Sequence, residues 1–139
     1  MKIFIVVLVL TAIIVAIGFL HYGSRNPPKT FLCQLHLANL GRQLELFKRQ
    51  HGRYPTSGEG LDALVHQPSD PAVALNWVQQ LRFLDLDPWG RPYQYVCPGR
   101  RDVQTFDLCS LGSDGVESND DICFSRRWEE EGLPYKPSE

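Results

Sequence analysis

Residues 111–123 read LGSDGVESNDDIC, and Asp114, Glu117, Asp120 and Asp121 place four carboxylates within eight positions. Gly112 and Gly115 let the backbone curl so that carbonyls and carboxylates can converge. A hard cation such as Ca²⁺ takes about six to eight oxygen ligands at once, and such a loop offers both kinds. The spacing is not that of an EF-hand, which needs D-x-[DN]-x-[DN]-G and a glutamate at the twelfth position. On composition alone the competing account is a solvated acidic turn.

Little else in the chain points to chemistry. G-x-S-x-G, H-E-x-x-H and the phosphate-cradling G-x-x-x-x-G-K are all missing. His36, His51 and His66 are scattered over helical stretches as surface or packing residues, and Trp77, Trp89 and Trp128 read as core or turn residues. No enzyme is expected. With 14 basic and 16 acidic residues the net charge is -2, without the basic stripe that would bind nucleic acid.

The four cysteines, Cys33, Cys97, Cys109 and Cys123, lack the C-x-x-C spacing of zinc or redox sites. An even number in a small exported domain predicts two disulfides in an oxidising space. A hairpin turning near residues 98–103 separates Cys97 from Cys109 by roughly 20 Å, at ~3.3 Å per residue, too far for a bridge. That leaves Cys33–Cys97 with Cys109–Cys123, or Cys33–Cys109 with Cys97–Cys123; the first is preferred. A Cys109–Cys123 bridge clamps the acidic loop at both ends, worth ~3 kcal/mol in the chain-entropy treatment.

The elements that must position this loop follow from hydrophobic pattern. Residues 3–20 are uncharged and apolar. As a helix they span about 27 Å, near the ~30 Å hydrocarbon core of a bilayer. Residues 1–22 are expected to be a transmembrane anchor, and residues 23–30, with Pro27 and Pro28, a break. Over residues 31–50, Cys33, Leu37, Leu40, Leu44 and Phe47 recur at spacings of 4, 3, 4 and 3, one apolar helical stripe with Gly52 as its stop. Thr56 or Ser57 caps a short helix over residues 59–66, and Trp77, Leu81 and Leu84 pack on the core. Asp87-Pro88-Trp89-Gly90 is a turn. Residues 91–97 and 104–110 are antiparallel strands. The globular domain covers residues 31–128, and residues 129–139 form a mobile tail.

Taken in order, R-Y-P-T-S-G-E-G-L-D-A-L from Arg53, D-P-W-G-R-P-Y-Q-Y-V from Asp87, F-D-L-C-S-L-G-S-D-G from Phe106 and the acidic D-D-I at Asp120 resemble the major, G-type pseudopilin of bacterial type II secretion systems. The resemblance runs from about Leu35 to Ile122. It implies an α+β, type IV pilin-like fold, with an N-terminal hydrophobic helix and an amphipathic helix packed on a small antiparallel sheet. It implies a structural subunit in the bacterial inner membrane, single-pass, with its domain in the periplasm. Its partners would be other pseudopilins and secretion subunits, in a homo-oligomer or filament. It also implies a Ca²⁺ site: Asp114, Asp120 and Asp121 by side chain, with carbonyls near Leu111, Val116 and Ser118 or Asn119. The family also carries G-F-[ST]-x-x-E at the start of its apolar helix, where a leader is cut. Here no acid lies in residues 3–20, and Gly18-Phe19 sits at the wrong end of the run. Either the subunit is uncleaved and divergent, or its true start lies upstream. The alternative function is a membrane-anchored, non-polymerising periplasmic calcium-binding module.

Overall fold

The computed structural model describes residues 27–125. The anchor expected over 1–22, the first part of the break and the tail over 129–139 lie outside the described residues. Among the described residues no helix is long and apolar enough to cross a membrane.

Helix α1 runs Lys29–His51. It starts two residues before the expected position, because Pro28 stands just outside the helix. There its missing N–H and fixed φ do no harm, and its carbonyl accepts the Leu32 N–H at 3.1 Å. The stop is where the sequence puts it. Gly52 adopts a left-handed φ of 74° and donates its N–H to Lys48 O at 2.7 Å. All five stripe residues, Cys33, Leu37, Leu40, Leu44 and Phe47, are buried. They face a three-stranded antiparallel sheet of β1 (Gln94–Val96), β2 (Asp107–Ser110) and β3 (Ile122–Cys123), in the order β1-β2-β3. Tyr95 stands opposite Leu108, and Cys109 opposite Cys123.

Aromatic rings fill the space between helix and sheet. Phe106 meets Tyr54 edge-on at 5.0 Å and stacks on Phe124 at 5.6 Å. The Phe124 ring lies so close to α1 that a Cβ on Gly41 would run into it. Gly41 therefore makes room for the Phe124 ring against α1, at a known cost in helix propensity.

The strands are shorter than the alternating patterns suggest, and the sequence reading missed β3. Two residues carry no alternation to recognise; their pairing with β2 is a product of the bridge and the Phe124 packing that follows. The helix expected over residues 59–66 is only a 3₁₀ turn, Leu61–Leu64. Thr56 does form a reciprocal cap with Glu59: the Thr56 N–H donates to Glu59 Oε2 at 2.7 Å, and the Glu59 N–H to Thr56 Oγ1 at 3.2 Å. Gly60, at φ 62°, then turns the chain out of the α region before a second turn can form. Beyond it, Asp70 caps a single helical turn, α2 (Pro71–Ala74), by accepting the Ala72 N–H at 2.9 Å. Trp77 and Leu81 pack on the core as expected. Leu84 does not: it lies in an open stretch with Leu75, Val78, Phe83 and Leu86, all exposed.

One of the two expected disulfides forms. Cys109 bridges Cys123, whereas Cys33 and Cys97 are free thiols. The Cys33–Cys97 pairing fails for a reason of distance. Cys33 is buried near Ser110 and Tyr93. Cys97 lies four residues beyond Tyr93 along the β1 segment, with its amide on Ser57 Oγ and its sulfur 3.8 Å from Thr105 O. Four strand residues separate the two neighbourhoods by about 13 Å, beyond the reach of any bridge. Burial raises the Cys33 thiol above its ordinary pKa.

Candidate metal-binding loop

The acidic loop hangs between β2 and β3, and its first residues are fastened to the Asp87 turn. Within that turn Asp87 Oδ1 accepts the N–H groups of Trp89 and Arg91 at 3.0 and 2.8 Å, and Gly90 N–H donates to Asp87 O at 2.8 Å. Pro88 supplies the φ such a turn requires. The free carboxylate oxygen, Asp87 Oδ2, accepts the Ser110 hydroxyl at 2.6 Å. Both residues are buried. Burial alone would raise the Asp87 carboxyl; the hydrogen bonds from Ser110, Arg91 and Trp89 outweigh it and hold the group below its ordinary range. Ser110 Oγ accepts in turn from Gly112 N–H at 3.2 Å.

Arg91 completes the attachment. Its guanidinium donates to Gly112 O at 2.7 Å and to Ser113 O at 3.4 Å. It lies where a side chain at position 115 would stand, and Gly115 takes a left-handed φ of 75° that favours glycine. Asp87, Arg91 and Ser110 thus fasten the base of the loop, a role the sequence reading did not give them. It identified the turn, but no spacing rule links Arg91 to carbonyls 21 and 22 positions away.

The expected ligands lie beyond this base. Asp114 Oδ1 accepts the Val116 N–H at 3.1 Å, and its Oδ2 the Ser118 hydroxyl at 3.3 Å. The same hydroxyl contacts Asp120 Oδ1 and accepts from the Asp120 N–H at 3.4 Å. A hydroxyl has one proton, so Ser118 can satisfy only one of the two carboxylates at a time. Ser118 holds the Asp120 carboxyl below its ordinary pKa. Asp121 Oδ1 is buried and has no hydrogen-bond partner. Glu117 points to solvent and reaches Arg100 at 3.7 Å. The Leu111 carbonyl accepts the Gly115 N–H at 3.2 Å, and the Ser118 carbonyl the Asp121 N–H at 3.5 Å. Val116 is exposed.

Among the described residues, no three acidic, histidine or cysteine side chains converge as a ready metal cluster. Asp114 and Asp120 are brought to one hydroxyl; Asp121 is not brought to either. The donor chemistry nevertheless suits a hard cation. All the candidate groups are oxygens, and one buried carboxylate oxygen, Asp121 Oδ1, is left without a partner. A Ca²⁺ ion here would draw on Asp114, Asp120, Asp121 and loop carbonyls.

The match to known proteins covers this whole architecture. The family described as Type II secretion system (T2SS), protein G matches residues 24–123. The chain is 35% identical over 119 residues to the type II secretion system core protein G of Pseudomonas aeruginosa, covering 84% of this chain and 82% of that one. To the core protein G of Klebsiella pneumoniae it is 45% identical over 89 residues, 62% of each chain. The fold is similar to the crystal structure of the major pseudopilin from the type 2 secretion system of enterohaemorrhagic Escherichia coli. There the TM-score is 0.59 at 32% identity, covering 72% of this chain and 96% of that one. The helix packed on a small antiparallel sheet, closed by the loop after β2, is thus a pilin-like architecture, and the chain belongs to the type II secretion system protein G family of pseudopilins.

Proposed function

We propose that this chain is a structural subunit of a secretion filament. It would be anchored in the bacterial inner membrane by residues 1–22, with its domain in the periplasm, and would act through contacts with its own copies, other pseudopilins and the secretion machinery rather than by catalysis. The observation that carries this reading, beyond the family, is the open stretch between α2 and the Asp87 turn. Leu75 is 84% exposed and Phe83 63%, with Val78, Leu84 and Leu86 beside them. Five large, exposed apolar side chains within twelve residues are apolar surface that a protein standing alone in water would tend to bury. The test is chemical cross-linking of the full chain in membranes, wild type against Phe83→Glu with Leu86→Glu. Loss of cross-linked oligomers at unchanged domain stability supports the subunit reading. Oligomers that persist, or that never form in the wild type, favour a membrane-anchored module working outside a filament.

The same proposal places Ca²⁺ in the acidic loop. Its support is the unpartnered buried oxygen of Asp121 and the resemblance of the S-D-G and D-D-I blocks to the family pattern. A site occupied at about 100 times its dissociation constant adds about 2.7 kcal/mol to stability. Chelation should lower the melting temperature of the protein, and added Ca²⁺ should restore it. An identical melting curve in chelator and in Ca²⁺ would remove the cation from this account.

A further inference from the structure

The two ends of the acidic loop are held by unequal means. Its first residues are tied to the rest of the domain by Ser110 and by the Arg91 guanidinium on Gly112 and Ser113. Its last residues, Asp120 and Asp121, have no such anchor outside the loop among the described residues. They lead directly into β3, a strand of two residues. What fixes β3 is its short pairing with β2, the Phe124 N–H on Leu108 O at 2.8 Å, and the Cys109–Cys123 bridge. Every residue offered above as a calcium ligand, from Leu111 to Asp121, lies between those two cysteines.

We infer that the Cys109–Cys123 disulfide is a positioning element of the calcium site: it holds Asp120 and Asp121 in register with Asp114, so that calcium affinity depends on the oxidation state of the bridge. The inference rests on the calcium reading above. The linkage is reciprocal, because whatever oxidation adds to calcium affinity, calcium adds to the resistance of the bridge to reduction. Reduction needs a dithiol. One of its thiolates attacks a bridge sulfur to give a mixed disulfide, and its second thiolate releases the other cysteine. The pair takes up two electrons and two protons, and the dithiol becomes a disulfide. Reduced, the loop keeps its Arg91 end and loses the covalent link at its acidic end.

The test is calorimetric titration of the full chain in detergent with CaCl₂, oxidised and after treatment with dithiothreitol, together with the variant carrying Cys109→Ser and Cys123→Ser. The reduced protein and the double variant should bind calcium at least tenfold more weakly. Equal dissociation constants overturn the positioning role and leave the calcium reading standing; no binding by the oxidised protein overturns both. A second measurement does not require the reduced protein to stay folded. The rate at which dithiothreitol opens the bridge is read by mass spectrometry after alkylation, with and without CaCl₂. It should fall severalfold when calcium is present, and an unchanged rate in a protein that binds calcium also overturns the inference.

Discussion

Carboxylates gather in two regions of this domain, and they are treated differently. In the segment before α2, Arg53 meets both oxygens of Glu59 at 2.7 and 2.8 Å, and Asp70 at 2.9 Å. It also donates to Tyr54 O. Hydrogen bonding from Arg53 holds the Glu59 carboxyl down at about 2, and Asp70 is lowered by the same guanidinium. The planar fork suits a bidentate carboxylate, and the site is complete from its own residues. In the acidic loop the available guanidinium, Arg91, is spent on backbone carbonyls, and the aspartates share a serine hydroxyl. The first region carries its cation as a side chain, shared by Glu59 and Asp70; in the second, among the described residues, an arginine ion pair is made by Glu117 with Arg100 and by none of the three aspartates.

The comparison can be broken most directly at Arg53. Arg53→Ala leaves the half-buried Glu59 carboxylate without its partner and should cost about 2 kcal/mol in thermal unfolding, whether or not calcium is present. Arg53→Lys, a point charge on a flexible stem, should recover only part of that. Arg91→Ala removes the two carbonyl contacts at the base of the loop and should cost about 1–2 kcal/mol. Unlike the change at Arg53, it should also weaken calcium binding. An Arg91 variant with wild-type calcium affinity would show that the base of the loop does not position its ligands.

Acid sharpens the difference. Glu59 titrates lower folded than unfolded, so its contribution is complete above the ordinary carboxylate range and is lost as pH falls from about 4.5 towards 2. Wild-type melting temperature should fall through that window, and Arg53→Ala should flatten the fall. The smallest effect is expected at Asp114. Asp114→Asn should change stability by no more than about 0.5 kcal/mol in chelator, since the residue is exposed and hydrogen-bonded only within the loop. In saturating Ca²⁺ it should be clearly destabilising, and equal effects under both conditions would separate Asp114 from the cation.

Much of the fold was legible before any coordinates. The 4-3-4-3 stripe from Cys33 to Phe47 names the buried face of α1 because helix geometry places those residues on one side. The alternating, aromatic residues around Tyr95 and Leu108 give β1 and β2 and their antiparallel sense. Thr56 or Ser57 was readable as a cap, but not the reciprocal bond from Glu59 nor the fact that Gly60 would cut the helix short. The loop was readable as acidic and glycine-rich. What escaped is non-local. β3 exists because a bridge and an aromatic ring hold two residues against β2. Cys33 and Cys97 are unpaired because α1 and β1 carry them to separate neighbourhoods.

Sequence by itself therefore determined the kinds of group present, the buried stripe of α1 and the order of the blocks that mark the family, because each depends on residues within one turn or one strand of each other. Tertiary structure alone decided which cysteines meet, that Arg91 reaches across to Gly112 and Ser113, and that Glu59 and Asp70 meet on one guanidinium. Those outcomes turn on distances of a few ångströms between segments remote along the chain, and hydrogen bonds and disulfides tolerate little error in such distances.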